Sequence, residues 1–266
     1  MSDLLLKISG LSASYGDEDI IRDVSFGIRQ GEIVCIVGES GSGKSTLVKA
    51  IHGMSDLQIT GGSIVFEGTD LAALPPKARR KLMGNGIGLI PQDPGASFNP
   101  IRKLDIQFKE SLAGHGMAYD EDKIDRMLKT IGLADGKAVL KNRPFELSGG
   151  MNQRIAIAAA MMFEPGLLLC DEATSALDVT TAGAVVEELL RIRESNGTSI
   201  LLVTHHLGIA RKIADNIGIM KNGRLIEYGS TAEIFESPEN EYTKNLIRDV
   251  PRLKKSQALL STTANQ

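Results

Sequence analysis

Five short apolar runs, each bounded by glycine, proline or charged residues, recur along the chain. They occupy residues 33–37, 87–90, 167–170, 200–203 and 217–220. Continuous apolar runs of this length are typical of parallel strands covered on both faces. Helical patterns lie between the runs, at residues 45–53, 121–131, 149–163, 181–195 and 207–214. The alternation predicts an α/β fold with a mostly parallel sheet.

Other segments predict additions to this sheet. Residues 5–11, 20–28 and 62–67 alternate apolar and polar positions, which indicates a small antiparallel β layer. Residues from about 93 to 162 are mostly helical in pattern and predict an inserted helical subdomain. We therefore expect one domain over residues 1–251, followed by a loose polar tail at 252–266.

Composition narrows the class of protein. The chain of 266 residues is 42% hydrophobic and 24% charged, with a net charge of −3, which is typical of a soluble globular protein and disfavours a nucleic-acid partner. Its two cysteines, Cys35 and Cys170, lie inside apolar runs and predict small buried side chains, not a disulfide framework. No run of eighteen apolar residues occurs, so we expect a cytoplasmic protein that meets a membrane only through a partner.

A glycine-rich segment follows the first apolar run and precedes a helical pattern. It reads Gly38, Glu39, Ser40, Gly41, Ser42, Gly43, Lys44 and Ser45, then Thr46, and fits the phosphate-binding pattern G-x-x-x-x-G-K-[ST]. Glycines let backbone N–H groups and a helix N-terminus point at one anion. Lys44 is expected to reach the outer phosphates of a nucleotide, and the Ser45 hydroxyl to ligate Mg²⁺.

Two carboxylates end the third apolar run, Asp171 and Glu172. In proteins with this phosphate loop, one acidic side chain at a strand end serves the metal and another can serve water. We assign Asp171 to Mg²⁺ and Glu172 to polarising the attacking water, the task of a general base.

A second glycine pair precedes the helical pattern at 149–163. The segment from Leu147 to Arg154 reads LSGGMNQR, with Ser148 placed as a helix cap and with Gly149 and Gly150 free to expose N–H groups. One nucleotide rarely needs two such anion sites. The second site therefore suggests an ATP held by a partner's phosphate loop.

At this point the sequence resembles the ABC transporter ATPases, whose signature reads LSGGQ, along nearly the whole chain. The resemblance implies that Tyr15 stacks on adenine. It places Gln92 in the Q-loop, touching Mg²⁺ or water and coupling the site to a membrane subunit. It also places residues 175–178, ending in Asp178, in the D-loop, and it implies that His205 contacts the terminal phosphate of ATP.

Residues 91–100, the signature with Met151 and the segment 241–244 resemble the peptide and nickel importer branch. There two different ATPases usually pair, and the signature with Met151 resembles that of the D-type subunit. The resemblance favours a heterodimer over a homodimer and implies permease subunits and, indirectly, a substrate-binding protein. Ala173 stands where many relatives carry proline, and the cysteine-rich tail of many peptide-type members is absent. That absence tilts the expected cargo slightly from peptides towards nickel.

His206 stands where relatives usually carry aspartate. Neighbouring residues at a strand end point apart, so His205 and His206 are a poor metal chelate and no zinc or nickel site is expected within the chain.

Two rival functions stay open. One is a soluble ABC ATPase of DNA repair or translation, against which the single cassette and the missing basic stripe count. The other is a regulatory subunit with little turnover, against which Lys44, Glu172 and His205 count.

Overall fold

A six-stranded sheet forms the centre of the protein. The computed structural model describes residues 4–54, 56–173 and 179–249. The central sheet has the order β10-β9-β3-β8-β7-β6, in which β9, β3, β8, β7 and β6 run parallel and β10 pairs antiparallel with β9. Its strands are β3 (Ile33–Val37), β6 (Ile87–Ile90), β7 (Leu167–Asp171), β8 (Ser199–Thr204), β9 (Asn216–Lys221) and β10 (Arg224–Ser230).

A smaller antiparallel sheet with the order β2-β1-β4-β5 accompanies the central one. Its strands are β1 (Leu4–Tyr15), β2 (Glu18–Arg29), β4 (Gln58–Phe66) and β5 (Thr69–Asp70). The three alternating segments of the sequence lie almost wholly within β1, β2 and β4, so the predicted β layer is confirmed, although its first two strands run to twelve residues each.

Helices flank the strands. They are α1 (Lys44–His52), α2 (Pro76–Leu82), α3 (Leu104–Gly114), α4 (Glu121–Thr130), α5 (Gly136–Lys141), α6 (Gly149–Met161), α7 (Val179–Asn196), α8 (Leu207–Ile213), α9 (Thr231–Glu236) and α10 (Glu241–Asp249). Four of them, α3 to α6, fall within the segment expected to be a helical insert. Within the described ranges, no helix is long and apolar enough to cross a membrane.

The central strands are buried on both faces, which explains their continuous apolar runs. In β3, Ile33, Cys35 and Val37 pack with the helices α3 to α8, whereas Val34 and Ile36 pack with α1 and the small sheet. This alternation follows from the two-residue period of a strand. The parallel sheet covered on both sides is confirmed.

Candidate functional site

The carboxyl ends of three adjacent parallel strands meet at one edge of the central sheet. Val37 at the end of β3 is paired with Thr204 at the end of β8, and Asp171 at the end of β7 is paired with Val203. The segments that continue from these strands carry the phosphate loop, the two carboxylates and the histidines. In open α/β sheets, ligands bind at this edge.

The phosphate loop turns from β3 into α1 at positions that only glycine can occupy. A Cβ on Gly38 would lie 2.2 Å from the Met220 carbonyl oxygen, and Gly43, which caps α1, has a φ of 102°. Glycine adopts this left-handed region without steric cost. The loop can therefore bring its backbone close to the neighbouring strand and still start a helix.

Lys44 lies folded under this loop. Its ammonium group donates to the carbonyl oxygens of Gly38, at 2.9 Å, and Glu39, at 2.8 Å, and it lies 3.8 Å from the Glu172 carboxylate. Lys44 is only 3% exposed, and burial lowers the pKa of its ammonium group, while Glu172 and Asp171 oppose that shift. A buried cation next to a helix N-terminus is suited to binding phosphate.

Ser45 and Asp171 form an oxygen-rich pair beside Lys44. The Ser45 hydroxyl donates to Asp171 Oδ1 at 2.8 Å, and Asp171 is 8% exposed. Burial raises the pKa of the Asp171 carboxyl group, although the Ser45 hydrogen bond opposes the shift. A hydroxyl and a carboxylate are ligands that Mg²⁺ prefers, and Mg²⁺ usually keeps several waters and adds phosphate oxygens. These two side chains fit that ion.

Glu172 stands at the centre of the polar residues. Its Oε1 faces Lys44, and its Oε2 lies 3.3 Å from Gln92 Nε2 and 3.5 Å from His205 Nδ1. Its backbone has a φ of 48°, rare for a residue with a side chain, and its N–H donates to Val203 at 3.0 Å. Such backbone conformations persist only where the surroundings enforce them, and they cluster at functional sites.

The two histidines lie side by side after β8, so the expectation that their side chains point apart is wrong. Both residues follow the last residue of β8, Thr204, and the alternation of side chains along a strand does not extend to them. Their ring centres are 4.0 Å apart at an interplanar angle of 42°, and the His206 N–H donates to Thr204 Oγ1 at 3.0 Å. Burial lowers the pKa of His206, and the neighbouring His205 adds to that effect, whereas Glu172 opposes it. His205 is thus the histidine that faces Glu172 directly.

Tyr15 ends β1 near the C-terminal half of α1. Its ring is half-buried, with Lys49 Nζ 5.8 Å from the ring centre, and its hydroxyl oxygen is buried with no hydrogen-bond partner among the described residues. Lys49, which the sequence analysis did not single out, also acts electrostatically on Asp171.

The signature segment occupies a different place. Ser148 caps α6, its hydroxyl accepting from Met151 N–H at 3.3 Å, and Ser148 and Gly149 are exposed. The other end of α6 packs on the edge strand β6, near Gly88. Because β7 and β8 separate β6 from β3, about 14 Å of sheet lies between those two strands. The structure therefore places Ser148–Gly150 apart from the other site residues. Those that it brings together are Lys44, Ser45, Gln92, Asp171, Glu172 and His205. Asp178, with residues 174–177, lies outside the described ranges.

Sequence reasoning missed the support beneath the phosphate loop. The turn from β9 to β10 contains Asn222 and Gly223, both with positive φ, and the Gly223 N–H donates to the Ser42 carbonyl at 3.0 Å. An Asn-Gly pair between two apolar segments is a strong hairpin signal. That signal could have revealed the hairpin but not its contact with the loop.

Comparisons with known proteins agree with this geometry. The family model described as "ABC transporter" matches residues 21–175. The chain is 37% identical to the dipeptide transport ATP-binding protein DppD of Haemophilus influenzae, over 97% of this chain and 81% of the relative. It is also 37% identical to the oligopeptide transport ATP-binding protein OppD of Lactococcus lactis subsp. cremoris, over 87% of this chain and 70% of the relative.

Solved structures give the same answer at the level of the fold. The cbiO1 protein of Clostridium perfringens, part of the ABC transporter complex cbiONQ, superposes with a TM-score of 0.76 at 28% identity, covering 89% of this chain and 92% of that one. The ATP-binding cassette MJ0796, a dimer in a post-hydrolysis state with ADP and phosphate, gives a TM-score of 0.75 at 27% identity, covering 85% and 98%. The chain belongs to the ABC transporter family and is a transport-coupled ATPase of that family.

Proposed function

We propose that this chain is the nucleotide-binding subunit of an importer at the cytoplasmic face of the cell membrane, where it drives peptide uptake through a separate permease. The observation that carries the proposal is the convergence of Lys44, Ser45, Asp171, Glu172 and His205 at the carboxyl edge of the sheet. The names of its relatives, dipeptide and oligopeptide transport proteins, favour peptides as the cargo over nickel, towards which the sequence analysis had tilted slightly.

Each of the site residues would have a different role in ATP hydrolysis. Lys44 would hold the terminal phosphates, and Ser45 and Asp171, with Gln92 alongside, would hold Mg²⁺. The ion, when bound, neutralises charge on the phosphates. Glu172 would take a proton from the attacking water at Oε2, the oxygen that faces Gln92 and His205. His205 would contact the terminal phosphate, and Tyr15 would stack on the adenine.

Two chains are needed to complete each site in this proposal. Ser148 and Gly149 are exposed at the start of α6, and the sheet separates that helix from the chain's own phosphate loop. The helix N-terminus would therefore serve the ATP of a second ATPase subunit arranged head to tail. The dimeric state of MJ0796 supports this arrangement, and the resemblance to the peptide and nickel importer branch favours an unequal pair.

A groove beside Gln92 suits the permease. A cavity of about 720 Å³ lies between β6, α3 and α6, with Leu89, Phe98, Phe108 and Phe163 in its walls. Arg102 donates to both carboxylate oxygens of Glu110, at 2.6 and 2.9 Å, and both residues line it. Apolar walls with a few fixed polar groups suit an amphipathic helix. The segment after β6 also carries Gln92. A permease helix bound in this groove could therefore be coupled to the nucleotide site through that residue.

Transport in vesicles tests the cargo. The chain would be reconstituted with candidate permease pairs, binding proteins and second ATPases, and uptake of labelled dipeptide and of nickel measured with ATP inside. We expect ATP-dependent dipeptide uptake that Lys44→Ala abolishes. Uptake of nickel alone would overturn the peptide assignment, and absence of both ATP hydrolysis and uptake with every partner would favour a regulatory subunit.

Cross-linking tests the groove separately. The only two cysteines, Cys35 and Cys170, are fully buried, and burial raises the pKa of both thiols, so a new surface thiol would react alone. Ser97→Cys places that thiol in the groove, and Ser195→Cys, exposed outside it, is the control. We expect a cross-link to the permease from Ser97→Cys only. Equal labelling from both positions would contradict docking in the groove.

A further inference from the structure

One guanidinium group joins the helix of the signature to its neighbour α4. Arg154 lies about 9 Å along α6 from Ser148, and its Nη1 donates to the Gly132 carbonyl at 3.2 Å. Gly132 follows α4, and its own N–H donates to the Lys129 carbonyl at 3.0 Å. A cation is favourable at the carboxyl end of a helix, because the last carbonyl groups there lack partners within the helix.

The backbone at Gly132 leaves room for this guanidinium group. Gly132 has a φ of 78°, and a Cβ there would lie 3.3 Å from Arg154 Nη1 and 3.5 Å from its Cζ. Glycine adopts this left-handed conformation without steric cost. The side chain of Arg154 therefore fills the space that the missing Cβ leaves, and it packs on the end of α4 as well as bonding to it.

Arg154 also faces the helix α7. It lines a cavity of about 180 Å³ between α6, α7 and the end of α4, and Glu188 of α7 lines the same cavity. Glu188 is 5% exposed; its Oε2 accepts from Arg191 Nη1 at 3.1 Å, whereas its Oε1 has no hydrogen-bond partner in the described part of the chain. Burial raises the pKa of the Glu188 carboxyl group, and Arg191, followed by Arg154, opposes that shift. A buried carboxylate needs compensating charge, which Arg154 helps to supply.

The rest of α6 is held independently of Arg154. Ile155 and Ile157 are fully buried in the core that α4 and α6 share. The start of the helix is tied to the segment before it, because Asn152 Nδ2 donates to the Pro144 carbonyl at 3.0 Å. Loss of the guanidinium group should therefore leave α6 folded, while its first turns lose their bond to α4.

We propose that Arg154 is a positioning residue for the signature: its bond to the end of α4 sets the direction of the first turns of α6, so that Ser148–Gly150 meet the ATP of the second ATPase subunit. The inference rests on the proposed head-to-tail pair. Direction matters because a helix N-terminus binds an anion through N–H groups aligned with its axis, and hydrogen bonds weaken steeply when misaligned. Arg154 serves the partner's nucleotide, since the sheet separates α6 from the chain's own phosphate loop.

Arg154→Met removes the charge and the donors and keeps an apolar stem. Lys44→Ala is introduced first to disable the chain's own phosphate loop, so that nucleotide-dependent pairing relies on the signature. Association of the full chain with the second ATPase would be measured by sedimentation, with and without Mg²⁺ and the non-hydrolysable β,γ-imido-ATP. We expect Arg154→Met to weaken the nucleotide-dependent association about tenfold, the effect of losing a hydrogen bond from a charged group. Arg126→Met, the loss of an exposed arginine on α4, should leave it unchanged.

A second measurement separates positioning from a general structural role. Binding of a fluorescent methylanthraniloyl-ATP with Mg²⁺ would be titrated on the single chain with Lys44 intact. Arg154→Met should keep the wild-type Kd, because α6 contributes nothing to the chain's own site. Association within twofold of the Lys44→Ala parent, or a tenfold loss in the Kd for the chain's own nucleotide, would overturn the inference. A Lys44→Ala parent whose association with every second ATPase ignores the nucleotide would instead overturn the head-to-tail pair, and this inference with it.

Discussion

Replacement of Glu172 by glutamine separates nucleotide binding from hydrolysis. The change keeps the shape of the side chain but removes its ability to accept a proton. The carboxamide oxygen can still face Lys44, as Oε1 does at 3.8 Å, while its NH₂ group faces Gln92, whose amide can turn to present its oxygen. We therefore expect the site to stay assembled in the variant.

The size of the effect follows from the role. Loss of a general base costs about 10²–10⁴ in kcat, which corresponds to about 3–5 kcal/mol in the activation barrier. The carboxylate also pairs with Lys44, which is almost fully buried. At an effective dielectric constant of about 20, the attraction over 3.8 Å is about 4 kcal/mol, and solvent and the two carbonyl partners of Lys44 reduce what is lost. We expect the nucleotide-free variant to be about 1–2 kcal/mol less stable, with Tm lower by about 2–8 °C.

Two assays read these effects independently. Phosphate release with saturating ATP and Mg²⁺ gives kcat, and titration with the fluorescent ATP gives Kd, which should be unchanged or lower because one negative charge no longer opposes the phosphates. Size-exclusion chromatography with ATP, together with the second ATPase, should show a persistent dimer. A kcat within threefold of the wild type would refute the role of Glu172. A loss of ATP binding equal to that of Lys44→Ala would refute the argument that the amide preserves the site.

Three further changes test other parts of the structure. Gly38→Ala puts a Cβ 2.2 Å from the Met220 carbonyl oxygen, so we expect ATP binding to be lost and stability to fall by about 1–3 kcal/mol in thermal melting. The carboxyl pKa of Asp125 is lowered, chiefly by the hydrogen bond from Lys129. The stabilisation from this carboxylate is therefore present above its unfolded pKa and is lost as the pH falls through the lower folded pKa. Asp125→Asn should flatten the Tm profile below about pH 4. Tyr15→Ala should weaken ATP binding about tenfold in the fluorescence titration, while Tyr15→Phe should not.

Each of these changes has a matched control. Gly114→Ala adds a methyl group where nothing lies within 4 Å and should bind ATP like the wild type. Thr130→Val changes an uncharged side chain of the same helix, α4, and should leave the acid limb of the Tm profile in place. If Gly38→Ala binds ATP normally, if Asp125→Asn keeps the full acid limb, or if Tyr15→Phe loses as much affinity as Tyr15→Ala, the corresponding contact does not act as described.

Strands and helices with strong periodicity could be predicted from the sequence. The strands β3 and β6 have the predicted limits, and β7, β8 and β9 extend the predicted runs by one or two residues. These strands are buried on both faces, so their apolar runs are continuous and end sharply. By contrast, β10 has partly exposed residues throughout, and its mixed pattern was not recognised as a strand.

Part of the candidate site could also be predicted from the sequence. Lys44, Ser45, Asp171 and Glu172 belong to local patterns whose chemistry requires a strand end and a helix start, and both are present. Gln92 and His205 came only from the resemblance to the ABC transporter ATPases, because a single amide or imidazole has no pattern of its own. The contact between Gly223 and Ser42 could not have been predicted, because the two residues lie far apart in the chain.

The sequence by itself determined the kinds of element, the phosphate loop with its carboxylates and the family, because those depend on spacing within a few residues. Only the tertiary structure decided which distant side chains meet. The order of β3, β8 and β7 brings the strand ends together and places the start of α6 elsewhere. Strand order and helix packing result from the burial of whole faces, and no local pattern encodes which faces will meet.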